Sequence, residues 1–137
     1  MANVSIIGTG TWGTALAVLL HENGHHVTAW SAIPEEITQL SEKREHKSLP
    51  GVHIPEKIQF TGDLKEACEQ KELIVMAVPS IFTRSTSKKI ASLIPDGQLI
   101  VNVAKGIEDD TLMTLSQQIE QEIPQADVAV LSGPSHA

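Results

Sequence analysis

Apolar positions along the chain fall into two alternating patterns. Short dense blocks from Val4 to Ile7, His26 to Trp30, Ile58 to Phe60, Leu73 to Val78, Leu99 to Val103 and Val128 to Leu131 read as strands. The blocks beginning at Leu73 and Leu99 are apolar on both faces, as parallel strands tend to be. Between them the period changes to that of a helix. Ala15, Leu16, Leu19 and Leu20 mark a helix from Thr11 to about Glu22, stopped by Asn23-Gly24. Pro34, with Glu35 and Glu36 in the first turn, opens a second helix reaching about Lys43. Asp63 followed by Glu66 forms a capping-box start for a third, ending near Gln70. A fourth is expected from about Ile81 to Ile94, closed by Pro95-Asp96-Gly97. Leu112, Leu115, Ile119 and Ile123 mark one face of a fifth. From Arg44 to Lys57 no period appears, and Pro50-Gly51 and Pro55 suggest a surface loop. Strands joined by helical crossovers predict an α/β, Rossmann-type doubly wound sheet, mainly parallel, with six strands.

Composition narrows the function classes. The 137 residues suit one domain able to bury roughly two-thirds of its unfolded surface. A net charge of -7, with no basic block, argues against nucleic acid or an acidic membrane as partner. Cys68 stands alone, so no disulfide framework is expected, and no targeting or spanning segment appears. The expected location is cytoplasmic.

Candidate chemistry gathers at the carboxyl ends of the strands, where ligands of such sheets bind. Gly8-Thr9-Gly10-Thr11-Trp12-Gly13 follows the first strand and opens the first helix. In that setting Gly8 allows a sharp turn, Gly10 leaves the backbone bare to a pyrophosphate, and Gly13 permits close packing of helix on strand. The helix amides behind them attract an anion. Ser31 ends the second strand, Pro79-Ser80 the fourth, Lys105-Gly106 the fifth, and Ser132-Gly133-Pro134 the sixth. Trp30-Ser31-Ala32 stands where NAD-specific folds place a carboxylate for the ribose 2′-hydroxyl, which favours NADP. No arginine is adjacent, however, and Glu35 and Glu36 are close. Lys105, in a loop at the binding edge, suits a phosphate or a carbonyl oxygen gaining charge, and the Gly133 amide and Ser135 suit the same substrate.

Other residues carry less. His21 and His25 are separated by the helix-breaking Gly24, so no metal site is expected. Ser80 and Ser132 lack a nucleophile elbow, which leaves hydrolase chemistry unsupported. Arg84, Lys88 and Lys89 read as a solvated helix face.

Taken together, Gly8 to Ala17, Val78-Pro79-Ser80, Ala104 to Glu108 and Leu131 to Ala137 resemble the bacterial NAD(P)-dependent glycerol-3-phosphate dehydrogenases in order and spacing. The resemblance implies interconversion of sn-glycerol 3-phosphate and dihydroxyacetone phosphate, supplying phospholipid backbones. It implies that Thr11, Trp12, Lys105 and Ala137 contact NADP(H), and that Lys105, Gly133 and Ser135 contact substrate. Ala32 departs from the basic or polar residue usual in that family. The family's general-base lysine and helical domain lie beyond Ala137, so the chain is expected to be the N-terminal dinucleotide-binding domain, binding coenzyme weakly without turnover. An exposed last strand is expected to favour self-association, a homodimer at its simplest. A 3-hydroxyacid dehydrogenase or ketopantoate reductase, a non-catalytic NAD(P)-sensing module and, more distantly, an S-adenosylmethionine-dependent methyltransferase are the competing readings.

Overall fold

The computed structural model describes residues 2–104, 106 and 111–131. Strands and helices alternate: β1 (Asn3–Ile7), α1 (Thr11–Glu22), β2 (His26–Trp30), α2 (Pro34–Lys43), β3 (Gln59–Thr61) and α3 (Leu64–Cys68). Then follow β4 (Leu73–Met76), α4 (Thr83–Ile90), β5 (Leu99–Asn102), α5 (Leu115–Glu122) and β6 (Asp127–Val130). The strands form one six-stranded sheet in the order β3-β2-β1-β4-β5-β6, parallel throughout. The chain starts mid-sheet, moves outward to β3, then returns to lay β4 on the other side of β1. The two halves therefore part at β1 and β4, where a crevice opens beyond the strand ends.

Alternation along the strands divides the core in two. Val4, Ile6, Val27, Ala29 and Val75 face one side, under Ala17 of α1 and Leu40 of α2. Ile7, Trp30, Ile74, Met76 and Ile100 face the other, under Cys68 of α3, Ile90 of α4 and Ile119 of α5. Each fully buried isoleucine contributes about 1.5–3 kcal/mol, and neither helical layer could be lost without exposing a row of them.

Several local expectations are corrected. The segment after α2 is no mere surface loop: Ile54 is completely buried and packs with Leu40 and Ile58 beneath β2. Arg44 holds it there. This residue closes α2 in the left-handed region (φ 54°), and its Nη1 donates to the carbonyls of Pro55 (3.0 Å) and Ile58 (2.7 Å). Asp63 caps α3 by accepting from the Lys65 amide, but Glu66 makes no reciprocal bond and instead accepts from the Thr61 hydroxyl. Leu112 lies outside α5, exposed and at φ 60°. The reciprocal box between Thr114 and Gln117 starts that helix at Leu115, because it satisfies orphan amides at both positions. The segment after Pro79 is broken too: a 3-10 turn (Ser80–Phe82) precedes α4, and another (Ala91–Leu93) follows it. Among the described residues no helix is long and apolar enough to cross a membrane.

Candidate functional site

Leaving β1, the chain turns at Gly8 with φ +126°, a conformation that side chains rarely adopt. A Cβ there would lie 2.6 Å from the Ala77 carbonyl oxygen, and one on Gly13 would lie 2.4 Å from that of Gly8. Packing of α1 against β1 and the end of β4 therefore requires both glycines. Gly10 is different. Its φ of -68° and ψ of -175° are open to any residue, and an added Cβ would meet nothing within 4 Å. The fold itself makes no demand for glycine at this position. What a side chain would fill is the space in front of α1, where the first amides lack a side-chain cap and no acidic residue occupies the first turn. Bare, positively polarised backbone facing open space is a fit for a diphosphate.

Three side chains brace the glycine loop at Thr9, which is itself buried. The Thr9 hydroxyl donates to the Glu36 carboxylate from α2. Its carbonyl accepts from the Thr14 hydroxyl at 3.1 Å and lies 3.0 Å from His46 Nε2. The Ser48 amide donates to His46 Nδ1, which makes Nδ1 the acceptor nitrogen and leaves the ring proton on Nε2, aimed at Thr9.

Two recesses flank this loop and share Gly10, Val78 and Pro79 in their walls. The larger, about 410 Å³, runs over the end of β2 past Ser31, Ala32 and Ile33 to Phe82 on the far side. The smaller, about 300 Å³, lies between the start of α1 and the ends of β4 and β5, against Thr11, Trp12, Ser80 and Ala104. The two recesses meet at the glycine loop and together span the switch between β1 and β4. The smaller recess is lined by no titratable side chain among the described residues.

Of the residues singled out by sequence, Gly8, Gly10, Ser31 and Pro79 line the larger recess, and Gly10, Thr11, Trp12, Gly13 and Pro79 the smaller. Ser31 is buried, and its Oγ accepts from the Ile33 amide at 3.1 Å. Lys105, Gly133, Ser135 and Ala137 lie outside the described residues. Next to Lys105 in sequence, Gly106 (φ +142°) passes so close to Ser80 that an added Cβ would lie 3.1 Å from the serine Cβ. The β5 loop thus reaches the rim of the smaller recess.

Ile33, Phe82 and His46 also belong to this region without having been singled out from the sequence; Glu36, noted there only as close to Ser31, and Lys89, read as part of a solvated helix face, line the larger recess. Ile33 and Phe82 are half exposed (52% and 51%) on the walls of the larger recess. An aromatic residue left open just after Pro79, at a strand end, was the available signal for Phe82. Glu36 and Lys89 are the charged side chains among the described residues of that recess, and they come from helices on opposite faces of the sheet. Cys68 takes no part: it is buried in the core, and desolvation, opposed by Lys71, pushes its thiol up to about 11.

Comparison with known proteins bears on the family and the fold. The family model described as NAD-dependent glycerol-3-phosphate dehydrogenase N-terminus matches residues 3–137. A glycerol-3-phosphate dehydrogenase [NAD(P)+] of Agathobacter rectalis is 55% identical across the whole chain, and one of Lactobacillus delbrueckii subsp. bulgaricus is 50% identical. The chain spans 41% and 42% of those two proteins, so about two-fifths of their length. The crystal structure of the Coxiella burnetii glycerol-3-phosphate dehydrogenase superposes with a TM-score of 0.89 at 29% identity, over 98% of this chain and 42% of that one. The yeast enzyme, at 23% identity over 98% of this chain and 42% of its own, shares the fold with a TM-score of 0.82.

Proposed function

The chain belongs to the family of NAD-dependent glycerol-3-phosphate dehydrogenase N-termini, and from that membership we propose that residues 1–137 form the coenzyme-binding domain of an NAD(P)-dependent glycerol-3-phosphate dehydrogenase. The proposed reaction interconverts sn-glycerol 3-phosphate and dihydroxyacetone phosphate, for glycerophospholipid synthesis. One observation carries the reading: Gly10 has neither a backbone nor a packing reason to be glycine, and it faces the uncapped start of α1. The diphosphate of NAD or NADP fits that position, with the adenine end between Ile33 and Phe82 and the nicotinamide end against Trp12, Val78 and Pro79. When bound, the coenzyme supplies or accepts the hydride.

The remaining work falls to the protein. The recess walls at Val78, Pro79 and Ala104 give the ring an apolar surface that orients its face. Lys105 stabilises charge developing on the substrate oxygen, the Gly133 amide and Ser135 hold the substrate, and Ala137 meets the coenzyme; these roles rest on their motifs. Among the described residues, the smaller recess holds hydroxyls at Thr11 and Ser80 but no carboxylate, imidazole or amine. By the family resemblance the general-base lysine belongs to sequence after Ala137, and the relatives, of which this chain spans about two-fifths, have length for it. The family match supports this reading over a sensing module or a 3-hydroxyacid dehydrogenase.

Trp12 and Trp30, the two tryptophans, line the smaller and larger recesses respectively. Titration with NADH or NADPH is expected to quench most of their fluorescence saturably. A flat titration on folded protein overturns the coenzyme site. The gene product that carries this segment is expected to reduce coenzyme with sn-glycerol 3-phosphate; a preference for a 3-hydroxyacid would overturn the substrate.

A further inference from the structure

We propose that Glu36 makes this site select the coenzyme lacking a 2′-phosphate, so that NADH binds in preference to NADPH; this rests on the coenzyme-site reading above. The end of β2 carries Ser31 and Ala32, neither of them a carboxylate. The tertiary structure brings one there from α2. Glu36 shares the wall of the larger recess with Gly8, Ser31 and Ala32, and its carboxylate accepts the Thr9 hydroxyl of the glycine loop. In a sheet of this topology the adenosine ribose lies at the end of β2, beside the loop. A carboxylate accepts hydrogen bonds from ribose hydroxyls. A 2′-phosphate instead brings its negative charge against that carboxylate in a recess partly closed to water, where repulsion is weakly screened.

The same turn offers a phosphate few donors. The Ile33 amide is already spent on Ser31 Oγ, and the Glu36 amide donates to the Ile33 carbonyl at 3.1 Å. Pro34 between them has no N–H. No arginine lines the recess among the described residues, and its lysine, Lys89, belongs to α4 on the opposite face of the sheet from α2.

The test titrates NADH and NADPH into the wild-type chain, Glu36→Gln and Ala32→Arg, with ADP-ribose and its 2′-phosphorylated form reporting the adenosine end alone. Glutamine keeps an acceptor for the Thr9 hydroxyl while removing the charge. Arginine at the exposed Ala32 adds a phosphate partner and leaves the Thr9–Glu36 contact in place. Wild type is expected to bind NADH at least about ten-fold tighter than NADPH, and Glu36→Gln to narrow that ratio to about three-fold, chiefly by improving NADPH binding. Ala32→Arg is expected to raise NADPH affinity, which keeps the proposal testable if Glu36→Gln misfolds. NADPH binding as tightly as NADH in wild type would overturn the proposal and leave the coenzyme site standing, as would tight NADPH binding abolished by Lys89→Met. An unchanged ratio in folded Glu36→Gln removes Glu36 from the selection. If neither coenzyme binds, the coenzyme-site reading falls and takes this proposal with it.

Discussion

His46 donates its Nε2 proton to the carbonyl of Thr9 across 3.0 Å and a sequence separation of 37 residues. The bond ties the segment after α2 to the glycine loop, and the Ser48 amide on Nδ1 keeps the ring in the tautomer that can make it. With Glu36 on the hydroxyl of the same threonine, the loop is held from both ends of one residue. His46→Ala is expected to remove about 1 kcal/mol of that support. Coenzyme titration would then show about five-fold weaker binding with the melting curve little changed. Unchanged affinity would show that the Thr14 hydroxyl suffices to fix the loop.

The glycines of the loop separate fold from ligand. Gly13→Ala drives a Cβ into the backbone of Gly8, which cannot swing aside, so a loss of about 3 kcal/mol in denaturant unfolding is expected. Gly10→Ala is expected to leave stability within about 1 kcal/mol, or to raise it by restricting the unfolded chain. Its coenzyme affinity should fall by more than about ten-fold. A Gly10→Ala protein that unfolds early would mean that glycine is needed there for the fold after all.

Arg44 is a strap rather than a surface charge. Beyond its bonds to Pro55 and Ile58, Nε donates to the Ser41 carbonyl and the guanidinium lies 5.5 Å from the Phe60 ring centre. A lysine ammonium cannot reproduce a planar fork that bonds three carbonyls and stacks on a ring. Arg44→Lys should therefore cost about 1–2 kcal/mol in urea unfolding despite keeping the charge. Equal midpoints for the two proteins would argue that Ile54 alone anchors the segment.

The Cys68 thiol provides a pH signature. Burial raises its folded value to about 11 from 9.0, so the unfolded thiol ionises first. Between those values the unfolded chain holds fewer protons, and the stabilisation, complete below pH 9, is lost as pH rises towards 11. A thiol reagent at neutral pH is expected to label Cys68 only in denaturant, and Cys68→Ala should flatten the alkaline fall in stability. Rapid labelling of native protein would contradict the burial.

β6 pairs only with β5 among the described strands, and Val130 at its end and Leu131 just after it are half exposed. Open strand edges with apolar side chains associate. Sedimentation of this chain should show concentration-dependent self-association that Val130→Lys reduces; a monomer at all concentrations would remove the expectation.

The chain's own pattern determined the element types and their parallel stacking, because a period of two or of 3.6 is set by neighbours a few residues apart. It also determined the glycine loop, whose turn, helix start and close approach are all local. Competing local chemistry overrode the pattern at Leu112, where the spacing suits a helix but the Thr114–Gln117 box begins it later. Ile54 carried no readable signal, since burial in an aperiodic segment depends on what lies beneath it. Nor could spacing reveal that Glu36 and His46 meet at Thr9, or that Gly8 and Gly13 answer to packing while Gly10 answers to empty space. Those relations join positions separated by whole helices and strands, and only the folded packing of α2 and its following loop against β1 and α1 brings them together.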